Sequence, residues 1–111
     1  MVEQKRESFR VEYPKAYSPK ITIKDCVFDV FDVSEFGIKF YVIDEHLFQR
    51  NELVSASINF SDNDEYEIEA SIVRIEKGFI SLKLITPLPL SKIRAEHLFL
   101  IQQYSEKKAY L

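Results

Sequence analysis

Apolar residues alternate with polar residues along most of this chain, and the alternation limits its possible folds more than any other feature. It recurs in residues 20–24, 38–42, 54–60, 68–72 and 80–84, and residues 26–31 are almost wholly apolar. Successive side chains of a β-strand point to opposite faces, so a period of two predicts strands with one buried and one exposed face. Short polar connections between these segments indicate a small antiparallel barrel or sandwich.

The period of the apolar residues changes after residues 86–89. The residues that then recur at helical spacing are Leu90, Ile93, His97, Leu100, Ile101 and Tyr104. This spacing predicts one amphipathic helix over residues 91–104, packed on the sheet, with Ser91 capping its N-terminus. Only two glycines occur, Gly37 and Gly78, and each is expected to hold a special backbone position, Gly78 in a hairpin turn.

The composition fits a single domain rich in strands. Of the 111 residues, 46% are hydrophobic and 14% aromatic, which suffices for one modest core. Nine phenylalanines and six tyrosines, against no tryptophan and one methionine, favour strands over a helical bundle. The lone cysteine, Cys26, lies in an apolar segment and is expected to be a small buried residue rather than a redox-active thiol.

Charge and hydropathy exclude several classes of function. The net charge of −3 argues against a broad DNA or RNA surface, because such surfaces are basic. The first residues are polar and charged, and no apolar run approaches the ~20 residues that a membrane span needs. We therefore predict a cytoplasmic protein with no membrane span and no nucleic-acid partner.

Two short groups of polar residues stand out as a candidate site. Arg6 and Arg10 precede the strand segments, and Asp32, Ser34 and Gly37 follow the apolar segment 26–31. Guanidinium can grip a phosphate or the acceptor edge of guanine, and a carboxylate can accept from guanine N–H groups. Together they indicate a site for a small, doubly charged anion that carries bases.

Each group also has an ordinary structural interpretation. Arg6 and Arg10 could form a solvated basic arm. Asp32 and Ser34 could bond their own backbone in a turn in which Gly37 supplies a positive φ, and such a turn would also aim both side chains at a ligand.

The order and spacing of the two groups resemble the PilZ domain, the bacterial receptor module for cyclic diguanylate (cyclic di-GMP). That family is marked by R-x-x-x-R, matched by Arg6 and Arg10, and then by [D/N]-x-S-x-x-G, matched from Asp32 to Gly37. The resemblance implies a barrel followed by a helix. We therefore predict an all-β fold, a small antiparallel six-stranded barrel with one C-terminal α-helix in residues 13–111, preceded by a flexible ligand-binding arm in residues 1–12.

The resemblance also implies roles for individual residues. Arg6 and Arg10 would contact phosphates and guanine edges, with Lys5 as an additional basic contact. Asp32 would accept from a guanine, and Ser34 would bond a phosphate or a base edge. The predicted ligand-binding residues are Lys5, Arg6, Arg10, Asp32, Ser34 and Gly37.

No pattern in the sequence indicates catalysis or a metal site. The two histidines, His46 and His97, lie far apart, and no His/Cys spacing suits zinc. Residues 62–65 lack the glycine and the distal glutamate of a calcium loop and are expected to form a hairpin loop. We predict no enzyme activity, no catalytic residue, no metal and no cofactor, with cyclic di-GMP as ligand.

Two aromatic residues lie beside the second motif, and each could stack on a base or fill the core. We expect Phe36 to lie in the core, whereas Tyr41 lies on the face opposite the apolar residues and is more open.

We predict a receptor that signals when its ligand orders the N-terminal arm and so changes affinity for a partner protein of unknown identity. The resemblance implies pathways such as motility or biofilm regulation. Two alternatives stay open. One is a PilZ-fold interaction module that binds no nucleotide, and the other is an unrelated small barrel whose motifs match by chance.

Overall fold

The computed structural model describes residues 9–109, with side chains described as far as residue 103. Seven strands precede one helix. They are β1 (Arg10–Glu12), β2 (Lys20–Ile23), β3 (Cys26–Ser34), β4 (Gly37–Tyr41), β5 (Leu53–Asn59), β6 (Glu65–Glu76), β7 (Phe79–Leu84) and α1 (Leu90–Ala109). Short 3-10 turns lie at Lys15–Tyr17 and Glu45–Leu47.

Strands β2 to β7 form a closed antiparallel barrel. Neighbours follow the order β3-β2-β5-β6-β7-β4, and pairing of β3 with β4 closes the ring. The predicted six-stranded barrel with a C-terminal helix is therefore confirmed. The register of the β3–β4 pairing shifts by one residue of β3 between Val30 and Asp32, as at a β-bulge.

An additional strand, β1, pairs with the C-terminal part of β3. The sequence analysis did not predict it, because three residues are too few to show a period. It places the last three residues of the predicted arm, residues 1–12, in the sheet. Residues 1–8 lie outside the described residues, so an arm that begins the chain stays a prediction.

The barrel interior is filled by the alternate residues of each strand. Ile21, Val33, Phe40, Ile58, Ile72 and Ile80 are almost completely buried. Each such side chain stabilises the fold by about 1.5–3 kcal/mol. The β6–β7 connection turns at Gly78, whose φ of 84° confirms the predicted special turn.

Helix α1 packs across β1 and β3 and differs in detail from the prediction. It begins at Leu90, so Ser91 lies inside the first turn and does not cap the N-terminus, and it continues to Ala109. Ile93 and Leu100 are buried as predicted, but Ile101 is 45% exposed. The buried face of the helix is thus rotated away from Ile101, towards Lys92 and Glu96.

An ionic cluster joins the helix to the barrel, with Lys92 and Glu96 buried and two exposed aspartates at its edge. Lys92 Nζ lies 2.7 Å from Asp62 Oδ2, 3.0 Å from Asp64 Oδ2 and 3.4 Å from Glu96 Oε2. Tyr13 donates its phenol O–H to Glu96 Oε1 at 2.7 Å. Burial alone would lower the pKa of Lys92, but hydrogen bonds to Asp62 and Asp64 and the charge of Glu96 outweigh it and raise that pKa. Residues 60–64 connect β5 to β6 and also fasten the helix. The hairpin loop predicted at residues 62–65 is therefore correct except for Glu65, which begins β6.

Two further expectations are wrong. Cys26 is exposed, because it is the first residue of β3, directly after the β2–β3 turn, rather than inside the strand. Phe36 is 47% exposed, because it lies at the tip of the two-residue β3–β4 connection rather than over the core. Within the described residues, no helix combines the length and the apolar character that crossing a bilayer would take.

Candidate ligand-binding site

The two motifs meet on the outer face of the barrel where β1, β3 and β4 pair. Arg10 of β1 lies opposite Ser34 of β3, and Asp32 of β3 lies opposite Lys39 of β4. Directly opposite residues of antiparallel strands project from the same face. The structure therefore places Arg10, Asp32, Ser34 and Gly37 side by side. The other predicted ligand-binding residues, Lys5 and Arg6, lie outside the described residues.

An ion pair links the two motifs. Arg10 Nη1 donates to Asp32 Oδ1 at 3.1 Å, with the Arg10 side chain 54% exposed and that of Asp32 only 5%. Burial raises the pKa of the Asp32 carboxyl above its ordinary value, although the charge and hydrogen bond of Arg10 oppose part of that rise. The carboxylate is thus held in place, and its cation can reach solvent and a ligand.

Ser34 and Gly37 form the hairpin that ends this face. Ser34 is buried, and its hydroxyl lies 3.4 Å from the carbonyl oxygen of Gly37. Gly37 does not have the expected positive φ, because its backbone is extended within β4. Space beside Gly37 is tight: a Cβ there would lie 3.3 Å from the Leu82 carbonyl oxygen and 3.6 Å from Ser34 Oγ.

A row of polar residues continues this face across the barrel, and the sequence analysis missed it. Lys39 lies opposite Ser81 of β7, which lies opposite Arg74 of β6. These three residues line a cavity of about 310 Å³ together with Arg10 and Gly37. The outward position of Lys39, two residues after Gly37, could be derived from the period of β4, but the meeting of Lys39 with Arg74 depends on strand register.

Aromatic rings cover the adjoining part of the outer face. The ring centroids of Phe31, Tyr41 and Phe79 lie 5.1–5.7 Å apart. Lys39 Nζ lies 4.8 Å from the Phe79 centroid, and Lys15 Nζ lies 4.3 Å from that of Tyr41. Tyr41 is partly exposed, consistent with its predicted position opposite the core face.

The arrangement suits recognition of an anion that also offers hydrogen-bond donors. Arg10, Lys39 and Arg74 supply positive charge, and Asp32 supplies a nearly dry carboxylate acceptor. The described residues contain no group of three or more His, Cys, Asp or Glu side chains placed to hold a metal ion.

Solved structures of other proteins share the fold, and three of them differ in organism and extent of match. The Bacillus subtilis inhibitor of motility (MotI/DgrA) has a TM-score of 0.68 at 20% identity, covering 95% of this chain and 53% of its own. YcgR from Escherichia coli, in complex with c-di-GMP, has a TM-score of 0.65 at 17% identity, covering 96% of this chain and 50% of its own. The uncharacterized Legionella protein Lpg0364 has a TM-score of 0.56 at 14% identity, covering 90% of this chain and 98% of its own.

This chain therefore spans about half the length of MotI and YcgR. Identities of 14–20% make these likenesses evidence for the fold alone. No curated protein matches the sequence significantly. The family model described as the PilZ domain matches residues 4–99, which is most of the chain. The chain belongs to the PilZ domain family.

Proposed function

We propose that this domain is a cytoplasmic receptor for cyclic di-GMP without enzyme activity. The observation that carries the proposal is the contact between the two motifs, Arg10 beside Asp32 and opposite Ser34 on the outer face of the barrel. Membership of the PilZ family supports it, as does the structural likeness to YcgR, which was solved in complex with c-di-GMP.

Each motif residue has a chemical role in this proposal. Arg10, joined by Arg6 and Lys5, binds phosphate oxygens or the acceptor edge of a guanine. Asp32 accepts hydrogen bonds from guanine N–H groups and exchanges its bond with Arg10 for bonds to the ligand. Ser34 donates to a phosphate or a base edge, and the missing side chain of Gly37 leaves room beside it.

We further propose that binding is signalled through the segment before β1. Strand β1 is already paired with β3, so the part of the predicted arm that the ligand would fix is residues 1–8. Once gathered on the barrel through Lys5 and Arg6, this segment would create or cover a surface for a partner protein. The likeness to an inhibitor of motility supports motility as the regulated process.

Calorimetric titration tests the ligand assignment. We expect cyclic di-GMP to bind, and cyclic diadenylate to bind at least about tenfold more weakly, because adenine lacks the adjacent ring N–H and 2-amino donors of guanine that would bond Asp32. Equal affinity for both would remove the guanine assignment. No binding of either would favour an interaction module that has kept the fold without the ligand.

Amide hydrogen exchange tests the signalling step. We expect cyclic di-GMP to slow exchange in residues 1–8 and to leave β5 unchanged, because core packing places β5. The effect should weaken as salt rises, since exposed arginine–phosphate contacts are screened. If residues 1–8 exchange equally with and without ligand, the signal is carried by another surface.

A further inference from the structure

A second pair of cations lies on the face that carries the motif site. Lys39 on β4 and Arg74 on β6 flank Ser81 on β7, and each is registered directly opposite it. Two strand spacings separate their backbones, which amounts to about 10 Å. All three residues line the 310 Å³ cavity that also includes Arg10 and Gly37. The cations therefore line the same cavity as two of the motif residues, Arg10 and Gly37.

Lys39 is positioned rather than freely solvated. Its side chain is only 27% exposed, and its ammonium lies 5.5 Å from the centroid of Phe31 and 4.8 Å from that of Phe79. Packing on two rings limits the conformations of the lysine stem. Less entropy is lost when such a cation binds an anion than when a freely moving lysine does.

In the described structure, the carboxylate of Glu76 pairs with both cations. Glu76 Oε1 lies 3.6 Å from Lys39 Nζ, and Glu76 Oε2 lies 4.0 Å from Arg74 Nη1. Both distances exceed those of good hydrogen bonds, and the Glu76 side chain is 44% exposed. Such a pair is weak. A ligand anion can displace Glu76 without leaving a buried charge unpaired.

We propose that Lys39, Arg74 and Ser81 form a second phosphate subsite, in which a ligand phosphate replaces Glu76. The inference rests on the proposed function, because cyclic di-GMP carries two phosphates and Arg10 is the only motif arginine on the described face. One phosphate binds at Arg10, and the other binds at the far side of the same cavity. Neither family motif contains these three residues.

Calorimetry with neutral variants tests the subsite. We expect Lys39→Gln and Arg74→Gln each to weaken cyclic di-GMP binding about tenfold, the order expected for one charge-assisted contact. Glu76→Gln should strengthen binding, because the competing carboxylate is gone. A merely structural role for Glu76 would not produce that gain. The matched control is Lys20→Gln, which removes a cation paired with Asp29 on the barrel surface but outside the cavity.

The outcomes separate the subsite from the function. If Arg10→Gln weakens binding while Lys39→Gln and Arg74→Gln bind like the wild type, the subsite is overturned and the receptor function stands. If the wild type does not bind cyclic di-GMP, both are overturned. Should Lys39→Gln fail to fold, Arg74→Gln decides alone, because the Arg74 side chain is 67% exposed and contributes little to the core.

Discussion

Arg10 and Asp32 stand 22 residues apart in the sequence and form a 3.1 Å ion pair on the outer face of the barrel. The pair joins the two family motifs. It holds the carboxylate at a nearly dry position, and in the proposed complex the ligand exchanges this contact for its own. Ligand affinity and the stability of the free protein are therefore coupled at Arg10.

Alanine substitution of the two arginines should separate these effects. Arg6→Ala and Arg10→Ala are each expected to weaken cyclic di-GMP binding by roughly 1.5–3 kcal/mol, the range for a charge-assisted hydrogen bond. Arg10→Ala should also lower the free energy of unfolding by about 1 kcal/mol, because Asp32 loses its partner. Calorimetry and urea unfolding measure the two quantities. Wild-type affinity in both variants would exclude the arginines from the site.

Substitutions of Ser34 and Gly37 should differ in their effects on ligand affinity and on protein stability. Ser34→Ala removes one hydroxyl, so it should weaken binding with little loss of stability. Gly37→Val should reduce both ligand affinity and stability. The valine side chain would crowd the Leu82 carbonyl and Ser34 Oγ, which should lower the free energy of unfolding by about 1–3 kcal/mol. Thermal unfolding and calorimetry test this. A Gly37→Val protein as stable as the wild type would contradict the close approach.

Ligand binding should weaken on acidification, and the loss should begin at a pH above the ordinary pKa of an aspartate. The pKa of Asp32 is raised by burial, and only the ionised carboxylate accepts guanine N–H bonds without giving up an acceptor oxygen. Affinity is therefore expected to fall as pH drops through the raised pKa, and Asp32→Asn should bind weakly with a flatter pH profile. Calorimetry at several pH values measures both. Identical pH profiles would contradict a role for this carboxylate.

The raised pKa of Asp32 also predicts how the stability of the protein changes with pH. This trend is opposite in sign to that of ligand affinity. A raised carboxyl pKa means that the folded protein holds the Asp32 proton more tightly than the unfolded chain does. Its contribution to the free energy of unfolding therefore falls as pH rises from the ordinary aspartate pKa through the raised value. Comparison with Asp32→Asn isolates this contribution from those of other carboxylates.

Lys92→Met should destabilise the protein much more than a surface lysine substitution. The change leaves Glu96, whose side chain is 4% exposed, without its cation, and breaking a buried pair in this way costs about 3 kcal/mol or more. The control Lys20→Met breaks a pair whose members are 55% and 37% exposed, which should change stability by no more than about 1 kcal/mol. Urea unfolding at neutral pH compares them, and equal losses would contradict the stabilising role of the cluster.

Local patterns were sufficient for most of the architecture. Five of the six barrel strands could be predicted because each carries its own alternation of buried and exposed residues, and β3 could be predicted from its apolar run. Strand β1 could not, since three residues show no period and its pairing with β3 comes from outside the segment. The helix was predicted, but the burial of two of its charged residues was not. Lys92 and Glu96 are buried because Asp62, Asp64 and Tyr13 approach from other parts of the chain.

The sequence by itself determined the strand pattern, the family and the motif residues, because each depends on spacing along the chain. The tertiary structure decided which residues share the site. Lys39 and Arg74 lie in one cavity only because β7 pairs with both of their strands in a particular register. The tight space at position 37 likewise comes from a carbonyl on β7. Register and barrel closure are set by packing of the whole core, so no local pattern specifies them.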